Sequence, residues 1–187
     1  MPRVKIPDRD DAPTESREML NAVARQLRFV PALFRVASIS PDALAGMIQL
    51  KGAISRAFDA RTLARIALAV SQVNECKYCL SFHTYLGMNF GKLSPDEMLR
   101  NRRGASVDAK STALVMFVQR VVEMRGNVVE SELRVMRDAG FDDAKIIEIV
   151  AASAYFIFTN FINNVFDTNV DFPEVDVDAR GSVTPLA

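Results

Sequence analysis

Apolar residues recur at intervals of three and four positions along most of this 187-residue chain, and this spacing constrains the fold more than any other feature. Such spacing places apolar side chains on one face of an α-helix. No segment shows the alternation of apolar and polar residues, bounded by turn signals, that is typical of β-hairpins. The sequence therefore predicts an all-α fold of about seven or eight helices.

Helix-start signals support this interpretation. Ser40-Pro41 and Ser94-Pro95 each combine a hydroxyl cap with a proline in the first helical turn, and Asp59 can cap a third helix. Asn74 is expected to end one helix and to cap the next. The predicted helical segments are 15–28, a short one after Pro31, 41–58, 60–73, 74–90, one opening at Ser94, 108–126, 131–138 and 144–167.

The chain length is that of one domain, since domains typically have about 100–200 residues. Three prolines exclude a regular helix from residues 1–14, which we interpret as an extended arm. Residues 15–168 are predicted to form a single helical domain. From residue 169 onwards the chain is acidic and contains prolines, so 169–187 is predicted to be a C-terminal tail that is either docked or loose.

Charge and hydropathy exclude some classes of partner. The 23 basic and 23 acidic side chains give a net charge of zero, which does not favour binding to nucleic acid or to an anionic membrane. Residues 149–158 are apolar on every side except Ser153, as in a helix buried in a core or against another subunit. Lys145, Glu148 and nearby asparagines argue against a membrane span there. The first residues lack the apolar core of a signal peptide, so we expect a cytoplasmic protein.

Cys76, Cys79 and His83 are the only two cysteines and the only histidine of the chain. In a helix their spacing of three and four positions places them on one face. A helix N-terminus lowers the pKa of a thiol, and Lys77 would add a positive charge. A neutral imidazole could take the proton of Cys79. A thiol that attacks a peroxide becomes a sulfenic acid, with which a neighbouring thiol condenses to a disulfide that an external reductant must reset.

Other interpretations of these residues remain open. Buried cysteines are often inert small hydrophobes. Zinc could use the two thiols and the imidazole, but a fourth ligand would have to be a carboxylate or water, because the chain has no further Cys or His. We therefore predict neither a metal nor a cofactor. For Tyr78, Phe82 and Tyr85, packing is the expected role.

The stretch Ile66–His83, with its Cys76-x-x-Cys79-x-x-x-His83 motif, resembles the AhpD-like proteins of the carboxymuconolactone decarboxylase superfamily. The segments 101–106 and 159–163 resemble its longer, peroxidase-related branch. The resemblance implies an antioxidant thiol peroxidase that reduces alkyl hydroperoxides with an external thiol or disulfide reductant. It also implies that Cys79 attacks, Cys76 resolves and His83 relays protons, in a homo-oligomer, commonly a trimer or hexamer. The alternatives are a decarboxylase-like lyase and a non-enzymatic redox-sensing or zinc-binding oligomer.

One position departs from the family pattern. The relay of the family usually includes a glutamate twelve residues before the first cysteine, where this chain has Ala64. In a helical hairpin that turns at Asn74, positions 64 and 83 could face each other, about 14–15 Å from the turn. A carboxylate at 64 would orient the imidazole, so Ala64→Glu is expected to raise turnover. Glu75 is close in sequence but projects in another direction. Asn160 and Asn163 could approach the site in an assembled particle.

Overall fold

A computed structural model describes residues 1–178 of the chain, and all of its regular structure is helical. The prediction of an all-α fold is confirmed. The described residues contain nine α-helices, slightly more than the seven or eight expected, and each corresponds to one of the predicted segments, including the six-residue α2 after Pro31. The helices are α1 (Thr14–Leu27), α2 (Ala32–Ala37), α3 (Pro41–Ala57), α4 (Ala60–Val73), α5 (Lys77–Asn89), α6 (Pro95–Arg102), α7 (Ala109–Glu123), α8 (Glu130–Asp138) and α9 (Asp143–Phe166).

Side-chain caps begin most of the long helices at the predicted positions. The Ser40 hydroxyl accepts a hydrogen bond from the third residue of α3, and the carboxylates of Asp59, Asp108 and Asp142 do the same for α4, α7 and α9. These caps satisfy amides that would otherwise lack a partner. The expectation for Asn74 is wrong in one respect, because Asn74 ends α4 but does not cap α5.

The centre of the fold is α4, which packs against α5, α6, α7 and α9. Its residues 66–71 are all 0% exposed. Alanines 67 and 69 are small enough to let neighbouring helices approach closely, and Ile66, Leu68 and Val70 fill the spaces between them. The helix with the two cysteines, α5, follows α4 as the second arm of a hairpin and packs against α9. The hairpin therefore holds the candidate site against the longest helix.

Both ends of the described chain lie against this core. The backbone N–H of Arg3 donates to the carbonyl oxygen of Phe166 at 2.8 Å, which fixes the N-terminal arm at the end of α9. Residues 169–178, which we call the strap, cross the outer face of α5. Phe172 of the strap stacks on Phe82 with ring centroids 4.7 Å apart, and the N–H of Val175 donates to the Ser81 hydroxyl. The described part of the predicted tail is therefore docked; residues 179–187 lie outside the described residues.

Helix α9 presents two different faces. Ile149, Ala152 and Phe156 are buried, whereas an apolar row on the opposite side is exposed. We call this row the outer stripe; it consists of Ile147, Val150, Ala154, Phe158, Phe161 and Val165. By length and composition α9 is the one helix among residues 1–178 that could cross a membrane, but half of its apolar window is buried inside the protein. Core helices of proteins without a membrane span have the same property.

Candidate active site

The turn between α4 and α5 fixes the two cysteines. Glu75 has a positive φ of 50°, so the chain reverses within two residues. Cys76 is the N-cap of α5, and its Sγ accepts a hydrogen bond from the N–H of Cys79 at 3.3 Å. Cys79 thus lies in the first turn of α5, directly beside the Cys76 sulfur. Both cysteines are free thiols, and each is only 1% exposed.

Asparagines of α9 complete the surroundings of the thiols. The Asn163 Nδ2 donates to the Cys79 Sγ at 3.2 Å and to the Thr159 carbonyl oxygen at 3.0 Å. One turn earlier, the Asn160 Nδ2 donates to the Ser71 hydroxyl of α4, and the Asn160 Oδ1 accepts from the Asn74 side chain at 3.0 Å. These contacts join α9 to both arms of the hairpin inside the core. A buried polar network of this kind holds its members in one geometry.

Burial raises the pKa of the Cys79 thiol well above its ordinary value, and the neighbouring Cys76 side chain raises it further. Hydrogen bonds from Asn163 and Asn160 act in the opposite direction, because they stabilise the thiolate. The expected lowering of this pKa by the helix N-terminus is therefore outweighed by loss of solvent. Lys77 does not counteract this rise in the pKa of Cys79, since its Nζ pairs with Glu174 of the strap at 2.6 Å on the outer side of α5.

His83 lies one turn beyond Cys79 and is packed between aromatic rings. It stacks on Phe82 at 5.2 Å and meets the edge of Phe156 at 5.0 Å. Burial, together with the smaller effect of the positive charge of Lys51 on α3, lowers the pKa of His83 to about 3, so the imidazole is neutral at pH 7. Among the described residues no hydrogen bond joins His83 to Cys79. The structure thus brings the three predicted residues to one helix, with direct contact only between the two cysteines.

Ala64 lies in apolar surroundings between α4 and α5. It belongs to an apolar cluster with Leu68, Leu80, Leu93 and Met98. Its Cβ lies 3.7 Å from the place that a Cβ of Gly87 would occupy, which is one turn beyond His83. A glutamate at position 64 would have to bury its carboxylate among these apolar side chains, which disfavours the charged form. The expectation that Ala64→Glu raises turnover stays a prediction, and this apolar cluster is the environment that the new carboxylate would enter.

Two polar features were not predicted as parts of the site or its support. The first is the contact of Asn163 with Cys79 within one chain, since Asn163 was expected to approach the site only in an assembled particle. The second is the buried carboxylate of Glu97, which accepts hydrogen bonds from Arg65, Asn101, Ser106 and Val107. Every bond of Glu97 goes to α4, α6 or the loop after α6, so this carboxylate holds the fold together rather than facing the thiols.

The remaining features do not add a ligand site at the thiols. Within residues 1–178 no group of three or more His, Cys, Asp or Glu side chains is arranged to hold a metal ion, so the zinc alternative lacks a ligand set there. A cleft of about 530 Å³ opens beside the α4–α5 turn. Its lining includes Gln72, Glu75 and Arg102 but neither cysteine.

Comparison with known proteins shows which family and which solved structures this chain resembles. Residues 41–123, which include α3 to α7 and both cysteines, match the model of the carboxymuconolactone decarboxylase family. A peroxidase-related protein from Ralstonia eutropha JMP134, described as an alkylhydroperoxidase AhpD core, has a TM-score of 0.81 at 22% identity over 91% of this chain and 92% of its own. The predicted resemblance to the AhpD-like branch of the carboxymuconolactone decarboxylase superfamily is therefore confirmed.

Two further structures share the fold. An uncharacterised peroxidase-related protein from Silicibacter sp. TM1040 has a TM-score of 0.74 at 21% identity, covering 91% of this chain and 93% of its own. The debrominase Bmp8, in complex with 2,3,4-tribromopyrrole, has a TM-score of 0.76 at 16% identity, covering 91% and 94%. The fold thus occurs in proteins of more than one activity. A search of curated proteins found no match.

Proposed function

We propose that this protein is a thiol-dependent peroxidase that reduces alkyl hydroperoxides in antioxidant defence through a Cys76/Cys79 dithiol–disulfide cycle. The observation that carries the proposal is the contact at the start of α5, where the Cys76 sulfur accepts the Cys79 N–H at 3.3 Å. Two thiols held one helical turn apart can close a disulfide with little movement of the backbone. The peroxidase-related proteins of the same fold support this class of reaction.

The proposed cycle has three steps. The Cys79 thiolate attacks the terminal oxygen of ROOH and breaks the O–O bond, which gives Cys79–SOH and RO⁻; the proton released by the thiol converts RO⁻ to ROH. The Cys76 thiol then attacks the sulfenic sulfur and forms the Cys76–Cys79 disulfide with loss of water. An external dithiol or disulfide reductant restores both thiols by exchange and is itself oxidised.

His83 is assigned the relay of the proton from the thiol to the alkoxide. With a pKa near 3 the imidazole does not keep a proton at pH 7, so it would pass the proton on rather than store it. Its stacking on Phe82 and its contact with Phe156 fix the plane of the ring. The apolar surroundings also keep bulk water away from the sulfenic acid, which favours attack by Cys76 over further oxidation.

The test begins with fully reduced protein from which the reductant has been removed. One equivalent of tert-butyl hydroperoxide is added, the remaining peroxide is measured, and the thiols are mapped by mass spectrometry. Consumption of the peroxide with loss of two hydrogens as a Cys76–Cys79 bridge is expected, followed by multiple turnovers when a dithiol is supplied. Thiols that stay free beside an intact peroxide would reject the proposal.

Two variants assign the order of attack. Cys79→Ser should consume no peroxide, whereas Cys76→Ser should consume one equivalent and accumulate a sulfenic acid that dimedone traps at Cys79. The reverse pattern would exchange the two roles. One round of oxidation without turnover would favour the redox-sensing alternative.

We further propose that the protein is a cytoplasmic homo-oligomer, a trimer or hexamer, assembled through the outer stripe of α9. Ile147 is 69% exposed, Phe161 54% and Val165 56%, although all three are apolar. Exposed apolar rows of this length are typical of surfaces that bind another protein. No charged residue occurs in α9 after Glu148, so the stripe offers a partner only apolar contact and a few amides.

A further inference from the structure

We propose that Asn163 is a catalytic residue, whose amide N–H donates to the Cys79 thiolate and whose carbonyl oxygen accepts a hydrogen bond from the hydroxyl of the hydroperoxide. This inference rests on the proposed function, because it assigns a group to the first step of that cycle. The Asn163 amide would supply a polar contact to the peroxide. Residue 64, which is an alanine in this chain, has no carboxylate to do so.

The orientation of the Asn163 amide follows from its partners. The Nδ2 lies 3.0 Å from the Thr159 carbonyl oxygen and 3.2 Å from the Cys79 Sγ. A carbonyl oxygen can only accept hydrogen bonds, so the NH₂ group must point toward Thr159. Its second hydrogen is then directed at the sulfur. The contact is better suited to a thiolate than to a thiol, since hydrogen bonds to charged acceptors are stronger.

The other end of the same amide is free. Asn163 is only 3% exposed, yet its Oδ1 has no hydrogen-bond partner within the described residues. A buried amide oxygen without a partner loses free energy on folding, and such groups are rare in native proteins. Oδ1 and Nδ2 belong to one planar group, so the free oxygen is fixed on the same amide that contacts the sulfur. A hydroxyl donor placed there would satisfy the oxygen and lie next to Cys79.

The terminal O–H of a hydroperoxide is a donor of this kind. With its hydrogen on the Asn163 Oδ1, the terminal oxygen lies against the thiolate that attacks it. The S–O bond forms as the O–O bond breaks, the hydrogen stays on the transferred oxygen as Cys79–SOH, and RO⁻ leaves to be protonated. A dialkyl peroxide has no such hydrogen, so the amide favours hydroperoxides as the substrate class.

The neighbouring groups keep the amide in this position. Asn160 ties the preceding turn of α9 to Ser71 and Asn74, and the Asn164 Nδ2 donates to the Asn74 carbonyl oxygen at 2.9 Å. The titratable groups around the Cys79 sulfur are Cys76 and Tyr78 from the hairpin and Tyr155 from α9. Burial raises the pKa of both tyrosines, so they stay neutral up to strongly alkaline pH. His83, one turn away, is neutral as well.

The experiment compares Asn163→Asp and Asn163→Ser with the wild type. Asp keeps the shape but removes the N–H donors, whereas Ser keeps a shorter hydroxyl donor. Asn127→Asp, at an exposed asparagine after α7, is the matched control. Two rates are measured: oxidation of Cys79 by tert-butyl hydroperoxide between pH 6 and pH 9, and alkylation of Cys79 by iodoacetamide without peroxide over a range extended to about pH 11, because burial raises the pKa of this thiol.

We expect Asn163→Asp to slow oxidation by about tenfold or more at pH 7 and to raise the alkylation midpoint by about one pH unit or more. Asn163→Ser should fall between Asp and the wild type, and Asn127→Asp should match the wild type. If Asn163→Asp does not fold, as judged by circular dichroism, the Ser variant is compared alone. Folded variants with the wild-type rate and midpoint would overturn the inference. A wild type that peroxide does not oxidise would reject the proposed function instead, while the alkylation midpoints still test the Asn163 contact.

Discussion

The two faces of α9 differ from those of a usual surface helix, because polar side chains are buried among the apolar ones of its inner face while an apolar stripe is exposed on its outer face. Its inner face carries Ser153, Thr159, Asn160 and Asn163, all 3% exposed or less, whereas its outer stripe is apolar and exposed. A surface helix normally buries its apolar side and exposes its polar side. Burial of four polar side chains costs free energy unless they are hydrogen-bonded, and exposure of apolar ones is unfavourable in water. This difference fits the two proposals made above, in which the inner face serves the thiols and the outer face serves assembly.

Asn160→Leu should have the largest effect on stability, because it replaces a hydrogen-bonded amide of the inner face by an apolar side chain. The substitution leaves the buried Ser71 hydroxyl and the Asn74 amide without their partner, which should lower the free energy of unfolding by about 2–3 kcal/mol. Chemical denaturation measures the change. Asn164→Leu on the exposed side of the same helix is the control and should cost about 1 kcal/mol or less. Equal losses in the two variants would contradict the assignment of the inner network.

A pH titration sharpens the comparison, since the inner face packs against the one histidine and the outer stripe has no titratable group. The pKa of His83 is about 3 in the folded protein and about 6.5 in the unfolded chain, so the unfolded state binds the proton more tightly between these values. Stability conferred by neutral His83 is therefore present above pH 6.5 and is lost as the pH falls. Each pH unit below 6 should cost about 1.4 kcal/mol.

The matched variant for this titration is His83→Gln, which replaces the imidazole by a neutral amide side chain that does not titrate. The difference between wild type and variant in the free energy of unfolding should shrink from pH 7 to pH 4, as followed by urea denaturation. Subtracting the variant removes the acid sensitivity due to carboxylates such as Glu97, whose pKa is also lowered in the folded protein. Parallel curves for the two proteins would show that His83 is solvated.

Phe161→Glu tests the outer stripe and should have the smallest effect on the stability of the single chain. A charge in the middle of an apolar interface should dissociate the oligomer, while the unfolding free energy of the subunit changes by about 0.5 kcal/mol or less. Sedimentation velocity measures the mass. Val135→Glu, at a residue of α8 that is 56% exposed, is the control and should leave the assembly intact. A wild type that is monomeric at all concentrations would refute the role of the stripe.

The sequence was sufficient for features that depend on local rules. Capping residues such as Ser40 and Asp59 mark helix starts through hydrogen bonds that span only three residues. The grouping of Cys76, Cys79 and His83 is likewise a matter of position on one helix. The boundary near Asn74 was less predictable, because either Asn74 or Cys76 can act as a cap and the positive φ of Glu75 has no strong sequence signal.

Contacts between distant parts of the chain could not be predicted in this way. Asn163 and Cys79 are 84 positions apart, and their contact depends on how α9 packs against the hairpin. The same holds for Ala64, whose contacts with Leu80, Met98 and the Gly87 position depend on how α4, α5 and α6 pack together. The pKa of Cys79 also depends on burial, which spacing along a helix does not reveal.

The contacts of the strap couple the movement of α5 to that of the chain segment that follows α9. It follows α9 in the chain, yet Phe172 and Val175 fasten it to α5, and Arg102 and Gln72 bind the carbonyl oxygen of Val177. Any fluctuation that lifts the start of α5 must release these contacts as well. The first turn of α5 and residues 172–177 therefore form one cooperative opening unit. In a hydrogen-exchange experiment their amides would share one opening free energy, and that value would set how often a buried thiol meets solvent.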